Sequence, residues 1–237
     1  MSDAAPAASP RLVLASASPQ RRAILAQIGA RFAVEPSAVR ELVEGPPEEV
    51  VLENAYRKAR AVADRLDVGA ASDRRGVRGA GSPGSGREEL PAAVLGVDTI
   101  VALGGRIFHK PADAAQARAT LAALAGRDHV VLSGVCLIEG EQVRTAAART
   151  RVRFRALTAA QIERYVETGE WRGRAGGYAI QERGALLVST IDGDYLNVVG
   201  LPVATLVDLA PWLLEASARD LRTTPQGVHE RVQPGES

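Results

Sequence analysis

A short segment near the start of the sequence combines small hydroxyl side chains with two adjacent arginines. Residues 16–22 follow an apolar run and begin a helix, with Ser18 as the N-cap and Pro19 in the first turn. Free backbone N–H groups at a helix N-terminus attract anions, and serine hydroxyls and guanidinium groups add directional donors for phosphate. We therefore expect a phosphate site that contains Ser16, Ser18 and Arg21. An ordinary helix start with solvated arginines is the alternative.

Two lysines lie in segments that would suit the same anion. Lys58 falls in the apolar stripe of a long helix, and Lys110 lies on a loop directly before Pro111. A lysine in an apolar stripe usually extends its ammonium group to solvent, and a loop lysine taken alone is an ordinary surface residue. The pattern leaves both interpretations open.

Two acidic residues and one amide complete the set of candidates. Asp98 lies within an otherwise apolar pair of strand segments, where a buried carboxylate needs a metal or a cation as its partner. This favours a functional role over an aspartate that caps a turn or a bulge. Glu41 lies in an acidic loop segment, and Gln181 follows small residues that allow close backbone approach; either one taken alone is typical of a surface residue.

Other kinds of site are excluded by the residues that the sequence lacks. The three histidines show no metal-ligand spacing, and the single cysteine, Cys136, lies in an apolar run and cannot form an internal disulfide. The sequence contains neither a Walker A motif nor a GxGxxG motif at the start of a helix. It also shows no Ser-His-Asp pattern of a serine hydrolase. A net charge of +1 provides no general attraction for nucleic acid or an anionic membrane.

The elements that must position these residues alternate between strands and helices. Predicted strands cover 11–15, 32–36, 94–97, 100–103, 130–138 and 143–154, and two strand-like runs flank Asp192-Gly193. Predicted helices start after Ser18 and cover 47–66, 114–125, the stretch from Thr158 to Gly169, and 203–214. Capping-box patterns at Asp113/Gln116 and Thr158/Gln161 mark two of the helix starts. The fold class is therefore α/β, with a mixed twisted sheet and flanking helices.

The chain is expected to form one globular domain over residues 11–216. Its 237 residues are 46% hydrophobic, which is enough to form a sizeable core. Residues 1–10 are expected to be disordered, the polar tail at 217–237 to fray, and the Gly/Ser/Arg-rich stretch 69–89 to be a flexible insertion. Without a signal peptide or a membrane-spanning run, the protein is expected to be soluble and cytoplasmic.

Taken together, these segments resemble the Maf family of nucleoside triphosphate pyrophosphatases, and most closely its dTTP/UTP branch. The matching motifs run in the same order along most of the chain. They are 14–19 with Arg21, Pro36-Ser37 with Glu41, 55–59 with Lys58, 96–99, Lys110-Pro111, 126–135, 175–181 and 193–202. Each motif alone is weak, whereas eight in the right order are specific.

The resemblance implies two lobes around a nucleotide-binding cleft and hydrolysis of a triphosphate to a monophosphate and pyrophosphate. It assigns the catalytic carboxylate to Asp98 and a divalent metal, Mg²⁺ or Mn²⁺, to Asp98 and Glu41. It assigns phosphate binding to Arg21, Lys58 and Lys110, and base preference to Gln20, Thr99 and Gln181. It also suggests a homodimer.

This sequence departs from the family pattern at three places. Gln20 stands where the family usually has arginine, Leu196 stands where it has serine, and the insertion at 69–89 is longer than is typical. Two alternative functions remain open: a nucleotide-binding regulator of cell division with little turnover, and a pyrophosphatase that prefers modified purine nucleotides.

Overall fold

The computed structural model describes residues 11–66 and 92–215. The sequence-based predictions for residues 1–10, for the insertion at 69–89 and for the tail at 217–237 lie outside the described residues. The described chain forms a mixed, seven-stranded sheet with flanking helices, which confirms the predicted class. None of the described helices combines the length and the apolar character that crossing a membrane requires.

Strands and helices interleave along the chain. The strands are β1 Arg11–Leu14, β2 Phe32–Val34, β3 Ala92–Leu103, β4 Arg106–Phe108, β5 Asp128–Glu139, β6 Gln142–Phe154 and β7 Val188–Asp192. The helices are α1 Pro19–Gln27, α2 Pro47–Arg65, α3 Ala114–Leu124, α4 Ala159–Glu167, α5 Tyr195–Val199 and α6 Val203–Leu209. Two 3₁₀ turns, Ala175–Gly177 and Arg183–Leu187, connect α4 to β7.

The sheet has the order β2-β1-β3-β5-β6-β7, with β4 paired to one end of β3. Strand β1 is parallel to β2 and β3, whereas β3, β5, β6 and β7 pair antiparallel. Side chains alternate between the two faces of a strand. Accordingly Leu12 and Leu14 pack in one apolar cluster with α1 and α6, while Val13 and Ala15 pack in another with α2.

Helix α2 lies unusually close to the centre of the sheet because two facing residues have no side chain. A Cβ atom at Gly96 of β3 would collide with the carbonyl oxygen of Ala55, and one at Gly134 of β5 with that of Val51. Gly134 is also the register partner of Asp98. The two glycines therefore bring the polar side chains of α2 directly against Asp98.

The long strands β3, β5 and β6 extend through two lobes. One end of these strands packs with α1 and α6, the other end packs with α3 and α4 around Phe108, Val152 and Phe154, and α2 packs along both parts. This arrangement agrees with the predicted two lobes, and a cleft lies between them.

The predicted helix starts are confirmed where a side chain caps the backbone. Ser18 accepts from the N–H of Arg21, and Thr158 forms the full capping box with Gln161. At α3 the box is only half formed: Asp113 caps Gln116, but the Gln116 side chain accepts from the N–H of Ala112 instead.

Three predictions about elements were wrong. The segments 94–97 and 100–103 belong to one continuous strand, because β5 pairs with β3 through Asp98. The apolar run after Asp192-Gly193 is helix α5, since the carboxylate of Asp194 caps the N–H of Leu196 and starts a helical turn. The predicted helix 203–214 is interrupted: α6 ends at Leu209, because Ala210 precedes Pro211 and leaves the helical conformation, and a separate helical turn follows at residues 212–215.

Candidate functional site

A cleft of about 610 Å³ lies between the two lobes. All of the predicted site residues line it: Ser16, Ser18, Gln20, Arg21, Glu41, Lys58, Asp98, Thr99, Lys110 and Gln181. These residues come from several separate segments of the chain, and the fold brings them together in one cleft. Their roles in binding and catalysis are not tested by this proximity and remain predictions.

A lysine between two carboxylates forms the centre of the cleft. Lys58 projects from α2, and its Nζ lies 2.6 Å from Oδ1 of Asp98 and 2.5 Å from Oε1 of Glu41. Lys58 and Asp98 are buried, with 7% and 5% of their surfaces exposed, whereas Glu41 lies on the open side of the cleft. The ammonium group of Lys58 therefore does not extend to bulk solvent, which was the alternative that the sequence left open.

Asp98 is ionised at neutral pH despite its burial in the middle of β3. Burial alone would raise the pKa of Asp98, but the charge of Lys58, hydrogen bonds from Lys58 and Asn54, and the charge of Arg21 together lower it below its usual value. The carboxylate accepts from Lys58 at Oδ1 and from Nδ2 of Asn54 at Oδ2, 3.0 Å away. It is thus a fixed negative charge with a defined orientation.

Asn54 was missed by the sequence analysis. Its side chain is 1% exposed and lies on α2 one turn before Lys58, so both residues face the same strand. Its amide also hydrogen-bonds the backbone of Leu42, which follows Glu41. A polar residue in the apolar stripe of α2, four positions before a lysine, is the signal that would have identified it.

Arg21 is held by three groups of the protein itself. Nε donates to the carbonyl oxygen of Gly200 at 2.9 Å, and the two terminal nitrogens donate to the hydroxyls of Ser16 at 2.9 Å and Thr99 at 3.1 Å. Burial lowers the pKa of Arg21, while the charges of Asp98 and Glu41 oppose that effect. The guanidinium group ties helix α1 to β3 and to the end of α5 and adds positive charge to the cleft wall.

The start of α1 presents its polar groups to the cleft. The Ser18 hydroxyl donates to Oε1 of Gln20 at 3.1 Å, and the Ser16 hydroxyl accepts from the N–H of Ser18 at 3.3 Å. Ser16 is buried, Ser18 and Gln20 are half-buried, and Arg22 is exposed. Arg21 and Arg22 thus differ in environment, as expected for neighbours that point about 100° apart around a helix.

The opposite wall carries Lys110, Gln181 and a second residue that the sequence analysis missed. Lys110 and Gln181 are exposed, which leaves their polar ends open to a ligand. Arg174 lines the same wall, and its Nε is buried without a hydrogen-bond partner among the described residues. Its terminal nitrogen lies 3.6 Å from Glu182, which is beyond good hydrogen-bond distance.

Local backbone geometry explains the glycines beside this wall. Gly176 has a φ of 69°, in the left-handed region that disfavours other residues, and a Cβ atom there would lie 2.7 Å from Val101. The close contact sets the path of the chain from Arg174 to Gln181. Small residues are therefore required at this point by the packing of the wall itself.

Glu41 and Asp98 are the residues that could hold a metal ion. The described residues contain no cluster of three or more histidine, cysteine, aspartate or glutamate side chains. The two carboxylates nevertheless converge on one point, the Nζ of Lys58. Mg²⁺ is commonly held by one or two carboxylates together with substrate phosphates and waters, so this donor set fits such an ion better than it fits zinc.

Comparison with known proteins provides a separate kind of evidence, from sequence similarity. The sequence model that describes the family of Maf-like proteins matches residues 11–211 of this chain. Proteins named dTTP/UTP pyrophosphatase are similar over most of the chain. The one from Gloeobacter violaceus is 44% identical over 201 residues, covering 84% of this chain and 94% of its own. The one from Moorella thermoacetica is 44% identical over 203 residues, covering 84% and 93%.

The similarity extends to archaea. The dTTP/UTP pyrophosphatase of Pyrococcus furiosus is 39% identical over 199 residues, which are 84% of this chain and 93% of its own. A crystal structure of a protein from Vibrio cholerae aligns with 67% of each chain at 11% identity and a TM-score of 0.29, a likeness that supports no conclusion.

Proposed function

The chain belongs to the family of Maf-like proteins, and we propose that it hydrolyses dTTP and UTP to the nucleoside monophosphate and pyrophosphate. The observation that carries this proposal is the centre formed by Asp98, Lys58 and Glu41, in which Asp98 and Lys58 are buried, in a cleft whose walls carry further cations. A nucleotide-binding regulator would need the cations but has no need of an ionised aspartate buried beside them.

The distribution of charge suits a triphosphate. Arg21 and Lys58 lie on one side of the cleft, while Lys110 and Arg174 lie on the opposite wall. The start of α1 adds uncharged donors through its hydroxyls and the N–H of Gln20, because Pro19 has no N–H and those of Arg21 and Arg22 are bonded to Ser18. Phosphoryl transfer requires neutralisation of the charge that develops on the leaving group, and fixed cations provide it without reorganisation. We assign stabilisation of the leaving pyrophosphate to Arg21, Lys58 and Lys110.

Asp98 is the residue that we assign to the water that attacks the α phosphorus. Its carboxylate is ionised and is held from two sides by Lys58 and Asn54, so it can accept a hydrogen bond from a water in one orientation. Positioning of this kind converts an encounter with bulk water into attack from a fixed geometry. Lys58 can meanwhile exchange its contact with Glu41 for a phosphate oxygen of the substrate.

We also propose that a divalent metal, Mg²⁺ or Mn²⁺, takes part. Glu41 and Asp98 would hold it, because they are the carboxylates that meet in the cleft. When bound, such an ion neutralises phosphate charge and lowers the pKa of a coordinated water. The residues of the chain keep their own tasks: Asp98 orients the water, and the lysines and Arg21 bind phosphate oxygens.

Base preference is assigned to residues at the two edges of the cleft. The exposed amide of Gln181 can donate to and accept from the edge of a pyrimidine. Thr99 and Gln20 lie on the facing side, where the Thr99 hydroxyl lies 2.9 Å from that of Ser133. The names of the similar proteins support dTTP and UTP over purine nucleotides.

We further propose that the protein acts as a homodimer in the cytoplasm. The dimer follows from the family resemblance, and the single, buried Cys136 is compatible with a reducing compartment. Sedimentation of the full chain at micromolar concentration would distinguish dimer from monomer.

A panel of nucleotides tests the proposed function. The purified chain is supplied with each common triphosphate and with modified purine triphosphates in the presence of Mg²⁺, and kcat/KM is measured from pyrophosphate release. We expect the highest values for dTTP and UTP. A purine triphosphate that is turned over faster than both would overturn the base assignment, and no turnover of any triphosphate would favour the regulator.

A further inference from the structure

The side chain of Asn54 joins three separate parts of the site. Its Nδ2 donates to Oδ2 of Asp98 at 3.0 Å and to the carbonyl oxygen of Leu42, also at 3.0 Å, while its Oδ1 accepts from the N–H of Leu42 at 2.7 Å. Both N–H donors of the amide and its oxygen are thereby used. An amide buried to 1% exposure with this full set of partners has one orientation only.

The segment that carries Glu41 needs such support from outside. Residues 35–46 between β2 and α2 form no helix or strand, so no regular backbone hydrogen bonds fix the position of Glu41. Leu42, the next residue, is held at both its N–H and its C=O by Asn54, in the way that a neighbouring strand would hold it. The other contacts of the loop are isolated ones, such as the hydrogen bond between Val43 and His109 and the ion pairs of Glu41 with Lys58 and of Glu35 with Arg65.

We propose that Asn54 is a positioning residue that fixes the distance between the two carboxylates of the cleft. By binding Leu42 and Asp98 with the same amide, it sets the loop that bears Glu41 against the strand that bears Asp98. The Nζ of Lys58 then reaches both carboxylates at once. This inference rests on the proposed function, because it assigns to Asn54 the assembly of that same catalytic centre.

The proposal makes Asn54 act through Glu41, and a double-mutant cycle measures that dependence. Asn54→Leu preserves the volume of the side chain and removes all three hydrogen bonds. We expect it to lower kcat/KM for dTTP by about 10–100-fold, the range for losing buried hydrogen bonds at a site. In a Glu41→Gln background, where the carboxylate to be positioned is absent, we expect the same substitution to cost at least about 3-fold less, because only its effect through the hydrogen bond to Asp98 is left.

A control variant separates positioning from general destabilisation. Thr150 on β6 is equally buried, and its hydroxyl donates to the carbonyl oxygen of Asp194 and accepts from Asn197; none of these three residues lines the cleft. Thr150→Val should lower the melting temperature as Asn54→Leu does but leave kcat/KM unchanged below that temperature. Asn54→Ala provides a second variant with less steric demand should the leucine fail to fold.

Hydrogen exchange supplies a readout that does not depend on turnover. The amide of Leu42 should be protected in the unmodified chain and should exchange at least about 10-fold faster in Asn54→Leu, but not in Thr150→Val. Equal exchange in all three proteins, or an activity loss that is the same with and without Glu41, would overturn the proposal. If the unmodified chain hydrolyses no triphosphate, the proposed function fails, while the exchange result still decides whether Asn54 holds the loop.

Discussion

Asp98 lies in the centre of strand β3, and its Oδ1 is 2.6 Å from the Nζ of Lys58 on helix α2. Both side chains are buried, and the same ammonium group also contacts Glu41. A buried ion pair of this kind is weak support for stability, since desolvation offsets much of the attraction between the charges. The position of this ion pair in the cleft is better explained by a role in catalysis than by a contribution to the stability of the fold.

Removing the charge of Asp98 should abolish most of the activity in a chain that is less stable but still folds, because Lys58 keeps Glu41 as a partner. For Asp98→Asn we expect kcat to fall by about 10²–10⁴-fold, because the water loses its anionic acceptor. Initial rates with dTTP and circular dichroism of the same sample check this. Asp64→Asn, at an exposed position on the same helix as Lys58, is the matched control. Near-normal turnover of Asp98→Asn would show that another group orients the water.

Metal dependence should follow from the paired carboxylates. Excess EDTA should abolish turnover, and Mg²⁺ or Mn²⁺ should restore it, since oxygen ligands of this kind prefer such ions. Glu41→Gln should raise the Mg²⁺ concentration that gives half-maximal activity. Undiminished turnover in the presence of chelator would exclude the metal, and an unchanged Mg²⁺ requirement in the variant would remove Glu41 from its site.

The identity of residue 20 should influence the choice of base. The amide oxygen of Gln20 accepts from the Ser18 hydroxyl, which leaves its NH₂ group for a ligand, whereas arginine cannot accept that hydrogen bond. Gln20→Arg should increase the ratio of kcat/KM for dTTP over dATP by roughly fivefold, equivalent to about 1 kcal/mol. An unchanged ratio with altered overall activity would place the residue on phosphate, and no change in either would leave it as a helix-start position only.

A buried histidine outside the catalytic centre should make stability depend on pH. His129 on β5 is 1% exposed, and its Nε2 lies 2.9 Å from the hydroxyl of Tyr178. Burial lowers the pKa of His129 from 6.5 to about 4, although the charge of Asp128 opposes the shift. The folded state thus stays neutral where the unfolded chain takes up a proton, so stability is complete above pH 6.5 and falls as the pH approaches 4.

Urea denaturation measures this effect directly. Between pH 7 and 4.5 the free energy of unfolding should drop by about 2–3 kcal/mol through His129 alone. His129→Gln should show a correspondingly smaller drop over the same interval. Asp98 contributes little to the change over this interval. Its pKa is lowered in the folded state, so the stability that its charge provides is lost only as the pH falls below the usual pKa of aspartate. Parallel pH profiles for the variant and the unmodified chain would contradict the assignment.

The sequence predicted those features that depend on local patterns. The cap at Ser18, the capping box of Thr158 and the helix that carries Lys58 all follow from residues close to one another in the chain. Asp98 stood out because an acidic residue in an apolar strand has few explanations. The family resemblance then selected Glu41, Lys110 and Gln181, which no local pattern distinguishes.

What could not be predicted depends on contacts between distant segments. The role of Asn54 depends on its contacts with Asp98 and Leu42. These contacts form because Gly96 and Gly134 let α2 approach the sheet closely. Helix α5 was predicted as a strand because its apolar residues favour one, and the cap from Asp194 reversed that preference.

The central claim, that water attacks the α phosphorus, is tested most directly by the position of an oxygen isotope. Hydrolysis of dTTP in H₂¹⁸O is stopped after a few turnovers, and the masses of both products are measured by mass spectrometry. We expect one ¹⁸O atom in dTMP and none in pyrophosphate, since attack at the α phosphorus expels pyrophosphate intact. Label in pyrophosphate would place the attack on the β phosphorus and contradict the claim. Formation of dTDP and labelled phosphate would place the attack on the γ phosphorus and contradict it equally.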